Sequence, residues 1–530
     1  MTVSIEEADL QRPESDDLHE DDQPASRPRM GWDRWDSLIA AVLVLATFFV
    51  HPYGLLTNRP YWLDEAWVAS LTRLPFGRAI DLSLTTPPGW LALLWVVPGG
   101  VAKHGRLLTL AFSMLSAGAA YVFARGIAWN ERGIARGAAV AAAIAVTCVP
   151  IAIVRNDLKQ YTADAFFALV LLAVTRFVDA DSNPRAVVWL GAAALVAVPF
   201  STNAAFVAVA CFTGLLAVAV VARRRDRAVA TLLVGGVVAL GFAVVFAAVV
   251  FPRISRVLTS FWDAYYLTGG PVHMLDQSWT RLGNLSTFLA MPAWVFMALF
   301  ALGIVALVRL HATAVAIAVP FLWIEMAVAA RFQKYPFLDR RTFHFVLIPT
   351  VAVIVIGVAW VVVKLARRVL VAGVLLAVLA AALFFHGVSP HWQEFGIRHE
   401  DVRAQTAYVA NHMQPNDIVV VNMNGHYGFA YYWPHPVSAS PSTVAAAFVM
   451  DVHDPNVLVA GFGRKAVRTT LGKAMDLQRQ YGSGSRVFIV LSHMNTEDKA
   501  EWSEAFGALQ LHPRVVRVGV EPLRVIDPTG

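Results

Sequence analysis

Long apolar runs alternate with short polar breaks from residue 36 to residue 386, and the pattern changes beyond that point. A bilayer core takes about twenty consecutive apolar residues per helix, because backbone polar groups there must be satisfied within the segment. Stretches of that kind centre on residues 36–56, 106–128, 134–154, 165–178, 186–201, 204–222, 228–251, 285–309, 311–330, 343–363 and 368–386, the fourth and fifth being short. The pattern predicts a polytopic α-helical membrane protein with about eleven transmembrane helices over residues 35–386. Residues 387–530 predict a small soluble α/β domain. They hold a helix over 401–413 closed by Pro415-Asn416-Asp417, and apolar runs at Ile418–Val421 and Val487–Leu491 short enough for buried strands. A helix from 497 to 509 with Thr496 as N-cap follows, then an alternating stretch, Arg514–Ile526, with a turn near Glu521-Pro522. Residues 1–34 are acid-rich without an apolar core, which predicts a disordered tail and no signal peptide.

Composition agrees with a lipid solvent: 57% of residues are hydrophobic and only 15% charged, where a soluble chain carries about a quarter. The formal charge of +6 does not point to nucleic acid. Its bases sit in short clusters between apolar runs, as in Arg223, Arg224, Arg225 and Arg227. Both cysteines, Cys148 and Cys211, lie within apolar runs, so neither disulfides in the outer parts nor a zinc site is expected.

The basic clusters also set an orientation. With the N-terminus cytoplasmic, the inner segments hold Arg27, Arg29 and Arg34; Arg125, Arg132 and Arg136; Arg176 and Arg185; the 223–227 cluster; Arg309; and Lys364, Arg367 and Arg368. The positive-inside rule is satisfied at each, and an odd number of spans places the C-terminal domain outside the cytoplasm, in a multi-pass cell-membrane protein. Three outer stretches carry positive charge as well: 57–105, 155–164 and 331–341. An anionic ligand at the outer surface would account for them.

The chemistry-bearing residues fall in those same stretches. Arg59-Pro60-Tyr61-Trp62-Leu63-Asp64-Glu65-Ala66-Trp67 sets two adjacent carboxylates among aromatics just past the first span. In the same loop, Thr85-Thr86-Pro87-Pro88-Gly89-Trp90 leads into an apolar stretch too short to span, which predicts an interfacial helix opening at the proline pair. Arg155-Asn156-Asp157-Leu158-Lys159-Gln160-Tyr161-Thr162-Ala163-Asp164 is a dense polar knot at the outer end of the third span. The fourth stretch, Arg331 to Arg341, holds Lys334, Arg340 and Arg341; arginine forks and lysine ammoniums suit phosphate oxygens. Alternation of the spans brings all four to one face of the membrane. Acids that accept a hydroxyl proton then meet bases that hold a phosphate, the minimum for transferring a group from a lipid phosphate to an alcohol.

On these motifs the chain resembles the GT-C superfamily of polytopic glycosyltransferases, in the branch similar to protein O-mannosyltransferases and aminoarabinose transferases. Asp64-Glu65 matches the acidic pair of the first outer loop. Thr86-Pro87-Pro88 matches a His-Pro-Pro-like element with threonine for histidine, and Arg155 to Asp164 resembles the second outer loop. Tyr335-Pro336-Phe337 with Arg340-Arg341 resembles the late outer loop. The resemblance covers residues 35–386. It implies inverting transfer from a polyprenyl-phosphate sugar to a cell-envelope glycan, lipid or protein. Asp64 is then the general base and Glu65 its understudy or an acceptor ligand. Arg155, Lys159, Lys334, Arg340 and Arg341 pair with the donor phosphate, with Arg59 counted among the substrate-binding residues, and Asp157, Tyr161 and Asp164 position sugar or acceptor. A divalent cation held by outer-loop acids is left open by the resemblance. A lipid transporter is the rival reading, weakened because Glu325 is the clear mid-span acid while other charges sit at loop level. A non-catalytic scaffold would leave the charged outer loops unexplained. Asn424-Gly425-His426-Tyr427 and Tyr431-Tyr432-Trp433-Pro434-His435 read as core aromatics of the C-terminal domain.

Overall fold

The computed structural model describes residues 31–51, 53–83, 86–97, 100–149, 157–181, 183–250, 260–289, 291–393, 400–442, 445, 447–482 and 484–528. The N-terminal tail and Arg155 lie outside them. A helix stands at every predicted span: Arg34–Val50, Val101–Arg125, Arg132–Cys148, Tyr161–Ala180, Val187–Ala197, Ala204–Val221, Arg225–Val245, Ala293–Arg309, Thr313–Arg331, His344–Ala366 and Leu370–Gln393. Among the described residues, six helices are long and apolar enough to cross a membrane by themselves. The eighth span begins later than its apolar pattern suggests. Pro292 caps it, and residues Pro271–Ser286 form a separate helix before it.

Small residues let these helices approach closely, the usual device where lipid cannot drive association. A side chain at Gly214 would strike the Ala314 carbonyl, and one at Gly303 would strike that of Val353. Charged pairs sort the two ends of the bundle. At one end Arg125 meets Asp36 at 2.8 Å, Arg136 meets Asp33 at 2.5 Å, Arg367 meets Glu131 at 2.9 Å, and Arg227 donates to the Asp181 carbonyl at 2.9 Å. These are the segments that the positive-inside pattern groups together. The other end gathers residues 59–65, 157–161 and 339–342 beneath the C-terminal domain.

That domain is built on a five-stranded sheet of order β4-β1-β5-β7-β6. β1 (Ile418–Asn422) pairs in parallel with β4 (Val457–Ala460) and β5 (Val487–Val490), and β7 (Pro522–Ile526) is antiparallel to both β5 and β6 (Arg514–Arg517). Strand side chains alternate faces, so one sheet serves two cores. Ile418, Val420, Val487 and Ile489 pack under helices Arg464–Tyr481 and Thr496–Ala508. Val419, Val421, Phe488 and Val490 join the core shared with helix His426–Tyr432 and the membrane bundle. β2 (Val437–Ser442) and β3 (Ala447–Val452) form a separate hairpin. Asn495, not Thr496, caps the helix that follows β5, its side chain accepting from the Asp498 N–H at 2.7 Å.

Candidate active site

The acidic pair sits in the first turn of helix Leu63–Leu71, and the structure gives its two members different surroundings. Asp64 faces the gap between elements. Its Oδ2 accepts from Arg341 Nη1 at 2.6 Å and lies 3.6 Å from Lys159 Nζ. All three side chains keep 15–23% of their surface. Glu65 points the other way. It is fully buried, and Arg106 grips both its oxygens at 2.6 Å while also donating to the carbonyls of Arg59 and Pro60. Glu65, expected as understudy to Asp64 or as an acceptor ligand, has both its oxygens engaged by Arg106.

Three elements aim the bases. Arg341 follows a tight turn in which Asp339 Oδ1 accepts the N–H groups of Arg341 and Thr342, both at 3.0 Å. Tyr335 donates to the Thr342 carbonyl at 2.9 Å. Leu338 holds a left-handed backbone, φ 62°, in the same turn. Such a conformation costs on the order of 1–3 kcal/mol and persists where surroundings impose it. Burial by itself would lower the pKa of the Arg341 guanidinium, but Asp64, Tyr161 and Asp339 raise it above the ordinary value, so it stays charged. Lys159 lies over the Trp67 ring and Arg341 over the Trp62 ring, at 5.2 and 5.7 Å.

Asp157 is buried and accepts from Trp62 Nε1 at 3.0 Å, so it anchors the aromatic wall of the site. Tyr161 is buried within electrostatic reach of Arg341, Asp64 and Asp157. Asp164, one turn further along its helix, is turned into the bundle, where Asn203 donates to it at 2.9 Å. Arg340 is half-buried beside Arg341, and Arg59 is half-buried with its carbonyl on Arg106. Lys334 is exposed, and its N–H donates to the Ala329 carbonyl at the end of helix Thr313–Arg331. The Pro87-Pro88 element opens helix Pro88–Trp95 as its spacing predicts. Trp90 and Leu91 are fully buried, however, and the Trp90 indole donates to the Leu158 carbonyl at 3.0 Å, so the helix buttresses the Lys159 segment.

Sequence reasoning missed Arg106, Glu400 and His493. An arginine one turn into an apolar span is a readable signal for the first. The other two lie in the C-terminal domain with no motif around them. Glu400 accepts from the Leu63 N–H at 3.1 Å and from His493 Nδ1 at 2.7 Å, which brings that domain to the Asp64 helix.

The sequence matches no family model and no curated protein. Solved structures do match. The apo structure of ArnT from Cupriavidus metallidurans superposes with a TM-score of 0.54 at 16% identity, over 93% of this chain and 97% of that one. The same protein bound to undecaprenyl phosphate gives 0.50 over the same shares. The archaeal oligosaccharyltransferase AglB from Archaeoglobus fulgidus, in complex with an inhibitory peptide and a dolichol-phosphate, gives 0.52 at 12% identity over 91% and 73%. The chain shares the fold of these structures. Within this fold the Asp64–Arg341–Lys159 cluster occupies one end of the helix bundle, roofed by the α/β domain.

Among the described residues no three metal-ligating side chains gather, and Asp64 already faces two cations while Glu65 faces Arg106.

Proposed function

We propose that this protein is an inverting membrane glycosyltransferase. It moves a sugar from a polyprenyl-phosphate carrier to a hydroxyl on a cell-envelope glycan, lipid or protein, on the face of the membrane away from the cytoplasm. The observation that carries the reading is one carboxylate held between an arginine and a lysine at the rim of a GT-C bundle. ArnT bound to undecaprenyl phosphate and AglB with a dolichol-phosphate, both of this fold, support a lipid-phosphate donor.

The chemistry follows from that triad. Asp64 Oδ2 is engaged by the two bases, Arg341 at 2.6 Å and Lys159 at 3.6 Å, which occupies the oxygen a proton would go to. A donor phosphate brings more negative charge and more acceptor oxygens, so Arg341 and Lys159 turn to it and Asp64 is released. Asp64 then takes the proton of the acceptor hydroxyl as its oxygen attacks the anomeric carbon from the side opposite the phosphate. The bond from that carbon to the phosphate oxygen breaks, and the developing charge on the polyprenyl phosphate stays on Arg341 and Lys159. The base is thus unmasked only when donor is bound, which limits wasteful activation of water.

The test is transfer by membranes containing the protein, offered a panel of radiolabelled polyprenyl-phosphate sugars. One donor is consumed by the wild type, and Asp64→Asn lowers its turnover by about 10²–10⁴-fold with normal expression. Full activity of Asp64→Asn would refute the assignment. Because the bases do what a cation would do, transfer is expected to persist in EDTA; loss on chelation with recovery by a divalent metal would contradict it.

A further inference from the structure

The C-terminal domain reaches the segment of the acidic pair at several points, among them the Tyr61 N–H donating to Tyr432 Oη at 2.9 Å, and a polar chain meets the first turn of the Asp64 helix. Glu400, just before helix Val402–His412, uses Oε2 to accept the N–H of Leu63, the first residue of the Asp64 helix, at 3.1 Å. Its Oε1 accepts from His493 Nδ1 at 2.7 Å. His493 is held in turn: Glu521 Oε1 accepts its N–H at 3.3 Å, and Asn424 donates to its carbonyl at 3.1 Å. Glu521 Oε2 ties the assembly together by accepting from Ser492 Oγ at 2.7 Å and from the Asp401 N–H at 3.0 Å. The His493 backbone is left-handed, with φ 53°, a conformation uncommon outside glycine that its surroundings must enforce. Its ring lies 6.1 Å from that of Trp62, over which Arg341 also lies.

We infer that the α/β domain is a working part of the site: Glu400, oriented by His493, is a positioning residue that sets the start of the Asp64 helix. The inference rests on the reading of Asp64 as base. A helix N-terminus has N–H groups without partners inside the helix, and a carboxylate there satisfies one and complements the helix dipole. The residue that caps this helix at its own N-cap position is Trp62, whose side chain makes no capping bond, so the acceptor comes from the other domain. Moving that acceptor rotates the first turn and takes Asp64 away from its place between Arg341 and Lys159.

Protonation makes the link pH-sensitive. The groups facing His493 are Glu400 beside its own helix, Asp64 on the membrane side and Glu521 from the β6–β7 turn, with the Trp62 ring beside it and Arg341 over that ring. Burial pulls the imidazole pKa down, but the hydrogen bond and charge of Glu400, helped by Asp64 and Glu521, raise it above the ordinary value. A raised folded-state pKa means the stabilisation is complete below the ordinary value of about 6.5 and is lost as pH rises through the raised one.

Amide exchange on the full-length protein in nanodiscs tests this without needing the natural sugar. Glu400→Ala is expected to lower the protection factors of residues 63–66 by about tenfold or more, the usual scale for losing a hydrogen bond to a charged group. Protection in β1 and β5 stays at the wild-type level. In the wild type, protection at 63–66 is steady below about pH 6.5 and falls as pH rises above it, and His493→Gln flattens that slope. If Glu400→Ala misfolds, Glu400→Gln removes the charge while keeping the shape and serves the same comparison. Unchanged protection, or an unchanged pH slope in His493→Gln, overturns the inference. So does reduced protection with wild-type kcat for the donor identified from the panel, since the contact would then be merely structural. These outcomes are separate from that of Asp64→Asn, whose full activity would remove the catalytic reading itself.

Discussion

Asp64 and Glu65 are neighbours of nearly the same chemistry, and the structure makes opposite use of them. The pair was visible in the sequence because two acids beside three aromatics are conspicuous where a chain leaves a membrane. Which acid faces the cluster of bases was not visible, since the deciding partners, Arg106 and Arg341, are set by tertiary packing far along the chain. The distinction predicts two separable phenotypes. Asp64→Asn leaves thermal stability of the purified protein close to wild type while lowering turnover by about 10²–10⁴-fold. Glu65→Gln strands the buried Arg106 charge, and breaking a buried pair costs about 3–5 kcal/mol; the expected result is a clearly lower Tm or failed expression. Equal Tm for the two variants would contradict the division of labour. Asp164 taught a similar lesson: its place in a dense polar knot suggested the site, but its helix turns it inward to Asn203.

At the scale of elements, the apolar period was enough to expect a helix at each predicted span, because lipid leaves a transmembrane backbone no alternative to helix formation. In the C-terminal domain β1 and β5 were legible as short continuous apolar runs buried on both faces. The hairpin of β2 and β3 was not, because Val437-Ser438-Ala439-Ser440-Pro441-Ser442 carries little β propensity and pairs through its context. Likewise Asn495 took the capping position one residue earlier than Thr496, through its bond to Asp498. Glycines mark where helices must touch. Gly214→Val is expected to force helices Ala204–Val221 and Thr313–Arg331 apart, at a cost of about 1–3 kcal/mol or more, read as a fall in Tm. A wild-type Tm would mean that the contact with Ala314 is not tight.

At the scale of the whole molecule, alternating charge between spans sorted the loops into two sets, and the structure gathers those sets at opposite ends of the bundle. The sequence could not say that the α/β domain closes over the site, because the link through Glu400 and His493 has no local signature. If the positive-inside reading holds, a membrane-impermeant maleimide labels Lys334→Cys in intact cells and Arg368→Cys only after permeabilisation; the reverse order would invert the proposed topology. The central claim is that Asp64 stands in for a donor phosphate between Arg341 and Lys159, and binding of undecaprenyl phosphate to the purified protein tests it most directly. Arg341→Ala is expected to weaken binding at least tenfold, while Asp64→Asn, which removes the internal competitor, binds as tightly as wild type or more tightly. Weakening by Asp64→Asn as severe as that by Arg341→Ala would show instead that the carboxylate helps to hold the phosphate, and the account would fail.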